Sequence, residues 1–351
     1  MSQKNLPFNF KATGIGSVPY LDVDATCLEI LDLFPSMPFW PQFVKRSYVE
    51  GMNIQYTENL PLLKIDKQEK SVVLSTEKDL GSELVTFYDH LFEQDLDYFA
   101  ISREYAPGLY RLLEMIDQGD SGNIDYIKGQ TVGPITFAAA IIDQEGKPIL
   151  HNPELFEAMT RGLAIKALWQ VRELGRSGKR TVIFLDEPYL SGFGSAFSSI
   201  QRHEVVEALQ MFIGYLKENS DTLVGIHCCG NTDWSMIIEA SPDIINFDAY
   251  GYMEYFLLYP DDVLRFLKGG GIMAWGVVPT SERIEGESSE GLSSRLESGL
   301  SQMVEWGISP DLLARQSILT PACGMGSMEP EGADTVVKLL SLLSRRWAAR
   351  S

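Results

Sequence analysis

Two thiols and an imidazole stand in this chain where they can share a metal ion. His227 and Cys229 are two residues apart, so in extended backbone both side chains point to one side and Cys228, between them, points to the other. Cys323 lies far downstream, in Thr320-Pro321-Ala322-Cys323-Gly324, and can meet them if the two segments end side by side. One imidazole and two thiolates form a zinc set, and three protein ligands leave one position open, as catalytic zinc sites require. Asp248 is the nearest further ligand by sequence, displaceable when substrate binds. The plainer alternative is a reduced, buried thiol cluster, which is the reading given to Cys228 and to Cys27, set among Leu28, Ile30 and Leu31.

Such a site suits thiol chemistry. A free thiol is about 8.5 in pKa and therefore mostly protonated at neutral pH. Metal coordination removes that proton and holds the sulfur. Thiolate ligands donate charge to the metal, so a bound substrate sulfur stays electron-rich and can attack an alkyl donor. An all-nitrogen site is better matched to activating water. The protein must then align sulfur, methyl carbon and leaving group, because displacement needs that geometry.

Short β-branched runs alternate with helical patterns along most of the chain and supply the positioning elements. Strand expectations fall at 13–18, 38–43, 97–101, 125–129, 181–185, 222–227, 243–247, 271–276 and 317–320. Between them the stretch 153–175 sets Leu155, Met159, Leu163, Ala167 and Val171 at helical spacing, and Gly269-Gly270-Gly271 stops a helix before the next strand. This alternation predicts a parallel sheet, read here as a single-domain (β/α)8 TIM barrel over residues 1–351, with a small β-hairpin insertion near 64–76. A barrel needs eight strands and nine are counted, so one, the first or the second, is expected to sit outside the barrel or to cap its mouth. The loop 278–292, polar and glycine-containing, reads either as a mobile lid or as an ordinary solvent loop.

Residues able to do chemistry gather at the C-terminal ends of these runs. They are Asp186-Glu187-Pro188, His227 to Asn231, Asp248, Cys323-Gly324, and the Thr131 to Pro134 segment. Parallel folds place active sites there, and in a barrel those ends converge on one mouth. Asp186 reads either as a cap or salt-bridged carboxylate, or as the anchor of a substrate ammonium. Ile15-Gly16-Ser17 reads either as an ordinary glycine turn or as a close backbone approach that offers N–H groups and a hydroxyl to a carboxylate.

Composition narrows the partners. With 48 acidic and 29 basic side chains the net charge is −19, which argues against nucleic acid, whose binding rests on clustered Lys and Arg. There is no apolar run of transmembrane length, and the opening MSQKNLPFNFKATG lacks a signal-peptide core, so no membrane partner and a cytoplasmic location are expected. Four cysteines in 351 residues are too few for a disulfide scaffold.

The ordered motifs TGIGSVP (from Thr13), GQTVGPIT (from Gly129), Asp186-Glu187-Pro188, His227-x-Cys229 and TPACG (from Thr320) resemble the catalytic barrel of cobalamin-independent methionine synthase. HCCGNT, from His227, also resembles the zinc motif of corrinoid-linked methyltransferases related to uroporphyrinogen decarboxylase, a family of the same superfamily. The resemblance, covering roughly residues 12–340, implies zinc on His227, Cys229 and Cys323, homocysteine as thiol substrate, its amino group on Asp186 and its carboxylate at Ile15, Gly16 and Ser17. His227 and Asp186 become the catalytic pair. Three departures stand out: a second, folate-binding barrel is missing, the family's glutamate ligand is Asp248 here, and a further substrate-binding glutamate has only Gln42 in its place. The first departure, with the acidic composition, points to the single-barrel core form, taking its methyl from methylcobalamin or another methylated corrinoid, free or on a corrinoid protein. The alternatives are transfer to another thiol such as coenzyme M, or a non-catalytic zinc- or corrinoid-binding barrel.

Overall fold

The computed structural model describes residues 7–75, 79–119, 123–194 and 200–350. Its centre is one curled parallel sheet of seven strands in the order β1-β11-β10-β9-β8-β7-β6. These are β1 (Lys11–Ala12), β6 (Tyr126–Val132), β7 (Arg180–Asp186), β8 (Leu223–Cys228), β9 (Ile244–Phe247), β10 (Ile272–Val278) and β11 (Ser317–Pro321), with helices crossing over between them. Consecutive neighbours from β6 to β11 follow from the right-handed β-α-β crossover, which lays each new strand beside the last.

The arc between β1 and β6 carries only fragments of ladder. β2 (Ser17–Val18) pairs in parallel with β3 (Gln42–Phe43), and Phe39 forms a parallel bridge to Lys128 on β6. Trp40 N donates to Lys128 O, Lys128 N to Pro38 O, and Gln42 N to Gly16 O. The architecture is thus α/β, with a half-barrel sheet of seven strands and surrounding helices, and its continuous ladder is not closed.

The expected strand at 97–101 is absent: the segment is a series of turns. Asp95 Oδ1 accepts from Tyr98 N at 3.1 Å, and Asp95 O and Asp97 O take the next amides, so the local side-chain acceptor wins over the apolar, aromatic composition. The first and second expected runs, 13–18 and 38–43, contribute β2 and β3, which pair with each other outside the seven-stranded sheet, in keeping with the expectation that one of these runs lies outside it. The hairpin near 64–76 is present as β4 (Leu63–Asp66) paired antiparallel with β5 (Ser71–Leu74), Thr76 lying outside the described residues. The 153–175 helix runs Pro153–Gly175, with Asn152 accepting from Leu155 N at its start. The 278–292 loop folds into a short 3₁₀ turn, Glu282–Gly286, that buries Ile284. Among the described residues no helix is long and apolar enough to cross a membrane.

Strand alternation divides the interior into tiers. Tyr126, Val182, Leu223, Ile244, Ile272 and Ile318, near the starts of their strands, join Phe8, Met37, Phe184 and Ala274 in a separate apolar cluster that plugs the lower end, with Phe8 stacked on Tyr126 at 4.7 Å. Two residues further along three of these strands the inward side chains turn polar: Lys128, Asn246 and Thr320, all fully buried. Gly225 is required in this tier, since a Cβ there would lie 2.6 Å from the Phe184 ring. The C-terminal ends then present Asp186, His227 and the cysteines.

A second buried lysine lies in the outer layer. Lys166, on the Pro153–Gly175 helix, is fully buried and donates to Phe99 O at 3.3 Å. Burial pushes its pKa down to about 7, against the pull of Glu58. A lysine with a folded pKa below its unfolded value costs stability in full below the folded value, and the cost fades as pH rises toward 10.5. Lys166→Met is therefore expected to raise the melting temperature at about pH 6, with the gain shrinking as pH climbs past 8. Calorimetry across that range would show it, and a gain that grew with pH would refute it.

Candidate metal centre

Three neighbouring strands place the central residues in one row. Asp186 on β7 is register partner of His227 on β8, and His227 of Asn246 on β9. Cys228, one residue on, faces outward as its parity requires: it is buried in the helical layer with Sγ 3.6 Å from Gly230 O. Cys229 returns to the mouth. Cys323 comes from the turn after β11, which bends back because Ala322 N still bonds Val278 O while the chain beyond leaves the sheet.

One imidazole nitrogen of His227 and the sulfurs of Cys229 and Cys323 lie within 4.8 Å of one another. All four cysteines are free thiols. His227 is almost wholly buried, Nδ1 is 2.5 Å from Asn246 Oδ1, and Nε2 is buried on the side of the sulfurs. The Cys323 S–H and the His227 imidazole draw the Cys229 pKa well below the usual thiol range, down to about 4, whereas the Cys323 thiol is pushed up by its bond to Cys229 and by burial. One imidazole nitrogen and two sulfurs, converging in a buried pocket, are a donor set that would hold zinc. Cys27 packs as expected, buried with Sγ 3.7 Å from Gly108 O.

Asp248 does not join this group. Its Oδ1 accepts from Gly251 N at 2.7 Å and caps the helix Ala249–Phe256. Burial first, then the charge on Cys229, raises its pKa. The fourth sequence-predicted ligand is thus held as a helix cap beside the centre.

Asp186 faces the centre with Oδ1 buried and unpartnered. Burial pushes its carboxyl above the ordinary range, opposed by His227 and Lys128. Glu187, next in sequence, turns the other way. It is fully buried and accepts from Ile135 N, Thr136 N and Thr136 Oγ1 at 2.9, 2.8 and 2.6 Å. Gly133 makes room for it, as a Cβ there would fall 2.2 Å from the carboxyl carbon. The Asp-Glu pair therefore divides its work: Asp186 is offered to the mouth and Glu187 holds the Gly133–Thr136 turn.

The Ile15-Gly16-Ser17 segment is pinned from both sides. Ile15 O accepts from Lys128 Nζ at 2.5 Å. Gly16 has φ +154°, and a Cβ would meet Gln42 Oε1 and Gln130 Cδ at 2.7 Å, so only glycine fits. Ser17 Oγ accepts from Gly326 N at 3.3 Å and Ser17 O from Met325 N at 2.9 Å, which ties this segment to the turn carrying Cys323. Gln42 is buried and donates to Gln55 Oε1 at 2.5 Å and, more weakly, to Tyr56 Oη at 3.3 Å, and Tyr56 in turn donates to Gln130 O at 2.8 Å.

Two residues of this site were missed by sequence reading. Lys128, buried with Nζ 4.7 Å over the Phe184 ring and 3.1 Å from Gln130 Oε1, is the cation beneath the centre. Burial lowers its pKa and Asp186 opposes the shift. Asn246 touches His227 directly. Their signal was parity: each lies on an inward position of its strand, Asn246 two before Asp248 and Lys128 two before Gln130.

No family model matches the chain, and no curated protein matches it. Among solved structures it is similar to a B12-independent methionine synthase from Shewanella sp. W3-18-1 in complex with selenomethionine, at 18% identity and a TM-score of 0.44. That match covers 64% of this chain and 62% of that one, so the chain spans less than two thirds of the matched structure's length.

Proposed function

We propose that the chain is a zinc-dependent methyltransferase that methylates the thiol of homocysteine. The observation that carries this is the convergence of His227, Cys229 and Cys323 beside an unpartnered, buried Asp186. Bound zinc would deprotonate a substrate thiol and keep its sulfur nucleophilic. The rest of the work falls to the chain. The Asp186 carboxylate receives the substrate ammonium and turns the thiol toward the three donors. The Ser17 segment, fixed by Lys128 and the Cys323 turn, lines the position for the substrate carboxylate. The buried tier of Lys128, Asn246 and Thr320 closes the floor and excludes water from below.

The donor in this proposal is a methylated corrinoid, methylcobalamin or a corrinoid protein. It rests on charge: a net −19 repels the polyglutamate tail of a folate donor. The test is methionine formation by zinc-loaded protein from homocysteine, with methylcobalamin and methyltetrahydrofolate offered separately. Product from methylcobalamin supports the whole proposal. Product only from the folate keeps the methyltransferase and replaces the donor, and turnover with coenzyme M in place of homocysteine replaces the acceptor. Zinc binding without turnover on any pair leaves a binding module.

A further inference from the structure

We infer that Asn246 is a positioning residue that fixes His227 in the tautomer with its proton on Nδ1, leaving the Nε2 lone pair facing Cys229 and Cys323. The orientation of the Asn246 amide decides this. One of its terminal atoms lies 2.9 Å from Ala274 O and 2.8 Å from Thr320 Oγ1. A backbone carbonyl can only accept, so that atom is the NH₂ group. The other, Oδ1, is then the atom 2.5 Å from His227 Nδ1, and it too can only accept. Nδ1 must donate. In a neutral ring that leaves the lone pair on Nε2, the buried ring atom on the side of Cys229 and Cys323. A carbonyl-type acceptor behind a histidine sets which nitrogen is free to ligate and how the ring is turned.

The arrangement is rigid for reasons visible in the packing. Asn246 is fully buried, its Nδ2 contacts join β9 to β10 and β11, and its Oδ1 reaches β8. Four strands are thus tied together at the level just below the sulfurs. Register sets the pairing directly, since Asn246 is the β9 partner of His227. A one-residue slip would turn the amide to the outer face and leave the imidazole unsupported. The use of this tautomer to bind a metal rests on the zinc reading above; the tautomer itself does not.

The test separates the two. In the metal-free chain, with the histidines ¹⁵N-labelled and at a pH where the His227 shifts report a neutral ring, long-range ¹H–¹⁵N spectra are expected to show the proton on Nδ1. A ring protonated on Nε2 overturns the inference. Zinc affinity is then measured by competition with a chromophoric chelator for wild type, Asn246→Asp and Asn246→Leu. Aspartate keeps an acceptor at Oδ1 but sets its second oxygen against Ala274 O, so its zinc affinity is expected to fall less than that of the leucine variant. Leucine removes it and is expected to weaken zinc binding roughly 10–100-fold. A folded Asn246→Leu with unchanged affinity also overturns the inference. Should the leucine variant fail to fold, the wild-type tautomer decides. A wild-type chain that shows Nδ1–H yet binds no zinc supports the role of Asn246 and removes the zinc reading.

Discussion

Cys323→Ser is expected to reduce zinc from one ion on the three-residue centre to almost none, and to reduce methyl transfer by at least about 100-fold. Serine is nearly isosteric with cysteine, but its hydroxyl is not ionised at neutral pH and its oxygen is a poor partner for a metal already held by sulfur and nitrogen. His227 and Cys229 then remain as a two-point site. The loss should be local. Cys323 is only partly buried and sits on a turn after β11, so the circular dichroism and melting temperature of the metal-free variant are expected to match those of metal-free wild type. What should differ is the response to zinc. A ligand that binds only the folded state raises the melting temperature with concentration, and the variant should lose that rise over the range where wild type shows it. Retention of tight zinc and full activity would remove Cys323 from the centre.

Asp186→Asn is expected to leave zinc content unchanged and to raise KM for homocysteine by roughly 100-fold. The carboxylate is buried with one oxygen unpartnered, so an incoming ammonium finds a charge already stripped of water. Truncating one partner of a buried, hydrogen-bonded charge pair costs about 2–5 kcal/mol, and each 1.4 kcal/mol is about tenfold in binding. Asparagine retains the shape and loses the charge, so kcat should fall much less than kcat/KM, because the contact is made equally before and during the reaction. A thiol without an ammonium provides the control: its KM should hardly distinguish wild type from variant. If KM for homocysteine does not move, Asp186 is a structural carboxylate paired with Lys128, and the amino-acid part of the substrate assignment fails with it.

The strands from β6 onward were legible in the sequence because each is a short β-branched run bounded by a helix on either side, and parallel sheets bury both faces. The chemistry was legible for a different reason. Cys, His and Asp at the ends of such runs are not what propensity selects there, so His227, Cys229, Cys323 and Asp186 stood out. The 97–101 segment misled because its apolar residues look like a strand, whereas the deciding interaction is the Asp95 side chain accepting from Tyr98 N. Asp248 follows the next strand as a ligand would, but a carboxylate one residue before a helix is equally a cap, and its Oδ1 accepts from Gly251 N. Asn246 and Lys128 went unread since an amide or a lysine inside a strand gives no local signal of its role. Only the register with His227, and the approach of Ile15 O, reveal what they touch. Glu187 was merged with Asp186 for lack of the alternation argument that separates them.

The most direct test of the metal centre is zinc K-edge X-ray absorption on the purified, zinc-reconstituted chain. The structure predicts a single class of zinc with two sulfur ligands at about 2.3 Å and an imidazole nitrogen at about 2.0–2.1 Å, the remaining ligand being exogenous. Addition of homocysteine should then convert the shell to three sulfurs. Zinc surrounded only by nitrogen and oxygen, or a folded chain that retains no zinc at all, would contradict it.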